Sequence, residues 1–514
     1  MITFIISIVA LVLGYLIYGA IIERVIAPDD RETPAVRLAD GVDYVAMPTW
    51  KVFMIQFLNI AGTGPIFGAI MGMWFGPAAF LWIVLGCIFA GATHDYLSGM
   101  LSMRHDGANL PTLIGDYLGP VARRVMLAFT VMLMLMVGAV FVYSPAIIMA
   151  TLFGSQEMWI IIIFVYYLVA AILPIDKIIG KIYPLFAFSL LFMALALMVV
   201  LLVKMPQLPE LWDMGNMTHL QQSLIVDGHD GLGIATFLQK NPLFPCLFIT
   251  IACGAISGFH ATQSPLMARC LKSERLGRKI FYGSMITEGV VALIWASVSS
   301  YFFYAEGWRE VGTEQQVSTF LAQVATPGGK TLIQYCSTPS VVTVVCTAWL
   351  GAFGGILALL GVVAAPITSG DTALRSARLI IAEALNMEQQ SIRNRLMISI
   401  VIFAATFGIL MWQISNPDGF NVLWNYFGWS NQTLSVFTLW ALTVFLVRAG
   451  KPYIITLIPA VFMTTVCTTF LLVSPQTLAL PQWLGTPAAA IVTVVSLVWF
   501  FAWRNRWSKR HQVQ

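Results

Sequence analysis

The 514-residue chain is 59% hydrophobic and only 10% charged, with a mean hydropathy of +0.83 and a net charge of +4. A soluble protein carries about 25% charged residues to cover its surface, so a secreted, nucleic-acid-binding or ordinary cytosolic protein is excluded. The composition is that of an all-α polytopic membrane protein whose first partner is the lipid bilayer. No basic patch marks nucleic acid as another.

Helices of about 20 mostly apolar residues cross a bilayer. About 13 such segments follow in chain order: 2–22, 52–74, 78–102, 121–150, 157–174, 179–204, 243–264, 280–305, 340–366, 395–415, 422–447, 452–474 and 485–503. The first lacks a basic start and a small-residue cleavage site, so it reads as a retained helix. Of the 28 Lys and Arg residues, all but Lys204, Lys240, Arg309 and Lys330 fall in alternate loops. The excess of positive charge marks the cytoplasmic side. The N-terminus is therefore expected outside, and the C-terminus, with the tail 504–514, in the cytoplasm. An outer loop at 205–242 gathers Asp213, His219, Asp227, His229 and Asp230 in a spacing that matches no closed metal site. The seven cysteines form no CxxC pair and read as apolar packers. No resident metal or cofactor is expected.

Two spans contain material that breaks a helix at membrane depth. The second reads Ile60-Ala-Gly-Thr-Gly-Pro65, where Gly62, Gly64 and Pro65 weaken the helix and the proline removes a donor. The seventh reads Ile251-Ala-Cys-Gly-Ala-Ile-Ser-Gly-Phe-His260 and continues through Gln263 to Pro265. Backbone groups freed in this way cannot face lipid and must line a polar cavity or be buried in protein. Each break opens a set of five spans, 52–204 and 243–415, and an odd number of spans inverts the second set. Paired discontinuous helices in two inverted halves point to a secondary transporter with its site at the midplane. The span 1–22 precedes this five-plus-five inverted repeat, and the spans within 422–503 follow it.

The half-helix starting near Thr63 to Ile66 would present free N–H groups and a positive dipole end to a small carboxylate. Carbonyls freed around Asn59 to Ala61 and Gly254 to Ser257 would take a small cation or the polar end of a substrate, helped by the side chains of Asn59, Thr63 and Ser257. The substrate set is therefore Asn59, Ala61, Gly62, Thr63, Gly64, Pro65, Gly254, Ser257, Gly258, His260 and Gln263.

Ionisable groups inside spans are costly and mark function. Glu288 lies about ten residues past the Arg278-Lys279 pair, about 15 Å into its span at 1.5 Å per residue. It is the first candidate for carrying a coupling proton, against a structural carboxyl that hydrogen-bonds an unwound backbone, with Asp95 and its neighbour His94 next. His94 and Asp95 sit nearer the cytoplasmic end, where an interfacial pair or gate is the competing reading. Thr368, Ser369 and Asp371 offer a cation site or, equally, the cap of a helix starting there. Asn431 and Gln432 read as polar interhelical contacts. No Walker-type loop, HExxH or nucleophile elbow is present, so neither an ATPase nor an enzyme is expected.

Several stretches resemble the carbon starvation protein A family: Asp40-Gly-Val-Asp-Tyr44, Ile60-Ala-Gly-Thr-Gly-Pro65, Ala90-Gly-Ala-Thr-His-Asp95, Arg104-His-Asp-Gly107, Phe248-Ile-Thr-Ile-Ala-Cys-Gly254, Ser257-Gly-Phe-His260, Pro366-Ile-Thr-Ser-Gly-Asp371 with Arg375-Ser-Ala-Arg-Leu-Ile-Ile-Ala382, and Phe427-Gly-Trp-Ser-Asn-Gln432. The resemblance implies the fold of the amino acid–polyamine–organocation superfamily. It also implies inner-membrane uptake of peptides or, with protons, of pyruvate under nutrient exhaustion. This chain departs where many members carry a His pair, having Ile55-Gln56, and has His94 where they carry Gln. The expected function is cation-coupled import of small carboxylate-bearing nutrients, proton favoured over sodium. A channel or a membrane nutrient sensor are the alternatives.

Overall fold

The computed structural model describes residues 1–172, 179–216, 230–305, 307–311, 314–324, 329–336, 338–416 and 419–511. All regular structure among them is helical. The principal helices are α1 (Ile2–Ile26), α2 (Thr49–Ile60), α3 (Gly64–Phe75), α4 (Ala78–Arg104), α5 (Pro120–Leu152), α6 (Gln156–Ile172), α7 (Ile179–Lys204), α8 (Leu243–Thr250), α9 (Gly258–Ala268), α10 (Glu274–Tyr304), α11 (Thr338–Ala384), α12 (Ile392–Ser415), α13 (Gly419–Arg448), α14 (Ile454–Val473) and α15 (Gln482–His511). Among the described residues ten helices are long and apolar enough to cross a bilayer alone, and the pair α2 and α3, bent by 52°, makes up to eleven. The chain is thus a multi-pass membrane protein. The ranges 157–174 and 243–264 do not meet that criterion: α6 is short, and the other range is split between α8 and α9. His219, Asp227 and His229 of the outer loop lie outside the described residues.

Burial sorts the helices into a centre and a periphery. The apolar windows of α4 and α10 are 83% and 89% buried inside the protein, whereas those of α1 and α15 are only 28% and 22% buried. The exposed faces of α1 and α15 carry Ile6, Ile17, Val498 and Trp499, side chains suited to acyl chains. The polar content of α4 and α10, including His94, Asp95 and Glu288, is therefore held away from lipid.

The prolines inside helices have identifiable partners. Pro145 cannot donate to Phe141, four residues earlier, and the hydroxyl of Tyr167 on α6 donates to that carbonyl instead at 2.9 Å. The same hydroxyl lies 3.1 Å from the Pro366 carbonyl of α11. α11 runs for 47 residues, kinked at Gly351 (φ +68°), and continues through Pro366 to Ala384. A helix starting near Thr368 is thereby corrected. Thr368 donates back to the carbonyls of Ala364 and Ala365 at 3.0 and 2.9 Å, and Asp371 accepts from Tyr183 at 2.5 Å. Neither caps a helix start, because the apolar run before Pro366 and the amphipathic run after it pack as one rod against α5 and α7.

A loop before α2 joins segments far apart in the chain. Val45 and Met47 donate backbone bonds to the carbonyls of Arg269 and Cys270 at 3.2 and 3.1 Å. Asp43 lies 3.3 Å from the Arg378 guanidinium and 3.5 Å from that of Arg375. Burial alone would raise the Asp43 carboxyl, but Arg378 and Arg375, with Arg269 and Arg395 behind them, hold it below the usual carboxylate range. A depressed folded value contributes stability above the unfolded pKa of about 3.9, and that contribution fades as pH falls through the folded value.

Two outcomes follow for detergent-purified protein. Asp43→Asn lowers the melting temperature at pH 7, and its deficit against the natural protein shrinks in acid; a deficit independent of pH would contradict the electrostatic account. Tyr167→Phe leaves the Phe141 carbonyl without its donor and costs about 1–3 kcal/mol, read as a lower melting temperature.

Candidate substrate and cation site

The first break follows from residues 61–65. The Ala61 amide still bonds to Phe57 at 2.8 Å, Gly62 turns back to the Ile60 carbonyl at 2.9 Å, and helical geometry resumes at Gly64. Pro65 has no amide hydrogen to continue the ladder. In the second break α8 stops at Thr250, Gly254 adopts φ +91°, and Ser257 is extended (φ −140°, ψ 121°) before α9 starts at Gly258. His260 and Gln263 therefore stand on an intact half-helix, and Pro265 lies within it without breaking it.

The two breaks touch. A Cβ added to Gly64 would lie 2.4 Å from both Cβ and Sγ of Cys253, so only glycine permits this approach. One added to Gly254 would meet the Ala292 Cβ of α10 at 2.6 Å and the Pro65 Cβ at 3.8 Å. Unwound backbone from two distant parts of the chain thus meets in the protein interior, where every residue from Asn59 to Pro65 and from Gly254 to Gln263 is buried.

Side chains from neighbouring helices take up several of the freed backbone groups. Trp82 of α4 donates to the Ile251 carbonyl at 2.9 Å, and Gln432 of α13 donates to Phe248 at 2.9 Å. Asn431 of α13 accepts from the Phe259 amide at 2.7 Å and from the Ser257 hydroxyl at 3.0 Å. Asn431 and Gln432 are therefore caps for the seventh predicted span as well as interhelical contacts. In the first break, Ser369 of α11 donates to the carbonyls of Leu58 and Asn59 at 3.1 Å each.

Other polar atoms are left over. Among the described residues, both amide atoms of Gln56 and of Asn59, the Thr63 hydroxyl and the Gln263 carbonyl oxygen are buried with no hydrogen-bond partner. Such atoms inside a protein are costly unless something polar reaches them. Gln56, Asn59 and Thr63 stand on the first broken helix. The Gln263 amide nitrogen reaches Thr262 at 2.9 Å and Ser376 at 3.5 Å.

On the opposite side lies a line of ionisable groups. His94 Nδ1 is 2.8 Å from one oxygen of Asp95, and His260 Nδ1 is 2.8 Å from the other. His260 Nε2 in turn lies 3.5 Å from a carboxylate oxygen of Glu288, and all four residues are fully buried. Asp95 and His94 therefore sit deep, in the same cluster as Glu288. The π-helical turn at Gly86–Gly91 precedes them in α4, and Tyr282 of α10 donates to its Ile88 carbonyl at 3.1 Å. Thr368 and Asp371 belong to a separate group around Tyr183, whereas Ser369 bonds to the first break.

Sequence reasoning passed over Gln56, whose amide joins the unpartnered set, and Cys253, which lies within reach of His260 and Glu288. The signal for Gln56 was its position one turn before Asn59. Cys253 gave none, because its partners stand on α9 and α10.

An all-helical multi-pass fold with two helices broken against each other in its buried centre defines a membrane transporter. The chain matches the family described as Carbon starvation protein CstA over residues 1–151 and 142–470, and it belongs to that family. It is 44% identical to an uncharacterized membrane protein of Haemophilus influenzae over 59% of this chain and 91% of that protein. It is 27% identical to the peptide transporter CstA of Mycobacterium tuberculosis, over 86% of this chain and 70% of the relative. The peptide transporter CstA of Escherichia coli is 26% identical, over 90% and 79%. Among solved structures, a Na+-coupled sialic acid symporter superposes with a TM-score of 0.53 at 11% identity, covering 95% of this chain and 96% of that one. A manganese transporter of Eremococcus coleocola gives 0.52 at 12% identity, covering 91% and 99%. At these identities the likeness is one of fold.

The contact between the breaks can be tested directly. Gly64→Ala is expected to lower thermal stability and ligand binding together, and adding Cys253→Gly, which removes the clashing Cβ and Sγ, to restore part of the stability. A Gly64→Ala protein as stable as its parent would mean that the two breaks are not in contact.

Proposed function

We propose that the protein is a secondary active transporter that imports small carboxylate-bearing nutrients, short peptides or pyruvate-like acids, across the bacterial inner membrane. It does so by alternating access, in response to carbon starvation. The observation that carries this reading is the meeting of the two breaks at Gly64 and Cys253, flanked by the unpartnered amides of Gln56 and Asn59. A carboxylate at the start of α3 would gain about 0.3–2 kcal/mol from the helix end, with no buried arginine needed. Gln56, Asn59 and Thr63 would bind its polar remainder, and Gly254, Ser257, Gly258, His260 and Gln263 would form the facing wall. The named activity of the Mycobacterium and Escherichia relatives supports the peptide arm.

The proposed topology has 13 crossings, with the N-terminus outside and the C-terminus in the cytoplasm, as the segregation of Lys and Arg suggests. Residues 52–204 and 243–415 form the two inverted five-helix sets, and the spans within 422–503 flank them. Inversion would place the two broken helices antiparallel, so each set would contribute one half of the gate.

Coupling is assigned to a proton in preference to sodium. Glu288 is the first carrier, with Asp95 and His94 in support, because His260 faces two carboxylates and a cation there offsets their charge. A hard sodium ion favours oxygen donors over imidazole. At the alternative site the Thr368 and Ser369 hydroxyls donate to helix carbonyls and Asp371 accepts from Tyr183.

The test is uptake of labelled pyruvate and of labelled dipeptides into proteoliposomes with and without an inward proton gradient. Saturable, gradient-driven accumulation of at least one class is expected, and gradient-independent flux would turn the reading toward a channel. Glu288→Gln is expected to abolish accumulation while exchange persists. Full gradient dependence in that variant would remove Glu288 from the mechanism.

A further inference from the structure

Cys253, His260 and Glu288 come from three places in the chain: the unwound segment after α8, the first turn of α9, and the middle of α10. Their ligand atoms nevertheless all lie within 4.8 Å of one another, fully enclosed by protein. From this we propose that the cluster is a binding site for a thiophilic divalent transition cation, of which Zn2+ is the archetype. The inference goes beyond the transport reading and stands without it.

Three features support it. The first is the donor set. A thiolate, an imidazole and a carboxylate suit a borderline-soft ion and disfavour sodium, magnesium or calcium, which take oxygen ligands. Ligand atoms around a tetrahedral zinc lie about 3.3–3.8 Å apart, given bonds of about 2.0–2.3 Å. The Nε2 to carboxylate separation of 3.5 Å already falls there.

The second is orientation. His260 Nδ1 is held by Asp95 at 2.8 Å, and Asp95 is held in turn by His94 at 2.8 Å. A histidine whose Nδ1 hydrogen is donated to a carboxylate presents the Nε2 lone pair outward, which is the usual supporting arrangement behind a metal-bound imidazole. That Nε2 lies 3.5 Å from Glu288, with Cys253 beside His260 and the Gly254 backbone amide beside the carboxylate. With His260 neutral, two acceptors face each other across 3.5 Å, an arrangement that either a proton or a metal ion between them reconciles.

The third is the surroundings of the sulfur. The Cys253 Sγ lies 3.8 Å from the Asn431 amide nitrogen, which is able to donate to a thiolate, and 3.6 Å from the Ser257 hydroxyl oxygen, which accepts from the thiol. Three protein ligands leave one tetrahedral position open, as in zinc sites that also take a water or a substrate oxygen. Cys253 packs directly on Gly64 at the start of α3, so the open position borders the region assigned to the substrate carboxylate. Metal would replace the proton in the line from Asp95 to Glu288, and its uptake would release protons to solvent.

The experiment uses the full-length protein in detergent, freed of metal, with Co2+ and Zn2+ as probes. Co2+ is expected to bind at one equivalent per chain and to give a thiolate-to-cobalt charge-transfer absorption, and Zn2+ to displace it. Cys253→Ser abolishes that absorption. Asp95→Asn, which removes the group orienting His260, weakens binding by about 10–100-fold. Cys336→Ser, a half-buried thiol elsewhere, leaves both signals intact. Gel filtration and a melting curve for each variant separate lost binding from lost fold. The proposal is overturned by a folded natural protein that binds no Co2+, by charge-transfer absorption that survives Cys253→Ser, or by its loss in Cys336→Ser. Transport without metal binding would overturn this proposal alone. Metal binding without transport would uphold it and overturn the importer reading.

Discussion

Backbone amides and carbonyls buried at membrane depth have no water to bond with, and the centre of this protein is organised by where those groups find partners. Two helices are interrupted there. Their ends are held by Trp82, Ser369, Asn431 and Gln432, each supplied by a different helix face, and the interruptions lie against each other because Gly64 has no side chain to keep Cys253 away.

The same constraint explains the division of labour among polar residues. Groups that complete broken helices are satisfied within the protein: the Asn431 amide serves the first turn of α9, and Tyr167 serves the carbonyl that Pro145 cannot reach. Groups left unsatisfied occur in several parts of the protein, and those on α2, α9 and α10 include Gln56, Asn59, Gln263, His260 and Glu288 at the break. A structural polar residue is recognised by its full complement of partners. A residue poised for a solute or a cation is recognised by the lack of them. By that criterion Ser257, whose hydroxyl already donates to Asn431, is a weaker ligand than Gln56, while His260 and Glu288 remain strong ones.

Tyr183 and Asp371 form a second buried polar group, beside α7 and α11, away from the contact of the two breaks. Ser369 connects the two regions, since its hydroxyl bridges the carbonyls of Leu58 and Asn59 from a position two residues before Asp371. The part of α11 after its kink at Gly351, which continues through Pro366 where the sequence pattern suggested a stop, therefore braces the end of the first broken helix.

Much was legible in the chain itself. Apolar runs marked the helices, since crossing a bilayer demands length and hydropathy. Gly62, Gly64, Pro65 and Gly254 marked the interruptions, since missing side chains and a missing amide hydrogen act on the nearest few residues whatever surrounds them. The tertiary structure alone decided what met what. It brought Cys253 to His260 and Glu288, set His94 and Asp95 in that cluster instead of at an interface, carried α11 past Pro366, and assigned Asn431 to a helix end some 170 residues earlier in the chain. Local rules reach one or two turns along a helix. The pairing of buried polar groups is fixed by packing between segments far apart in sequence, and no spacing along the chain records it.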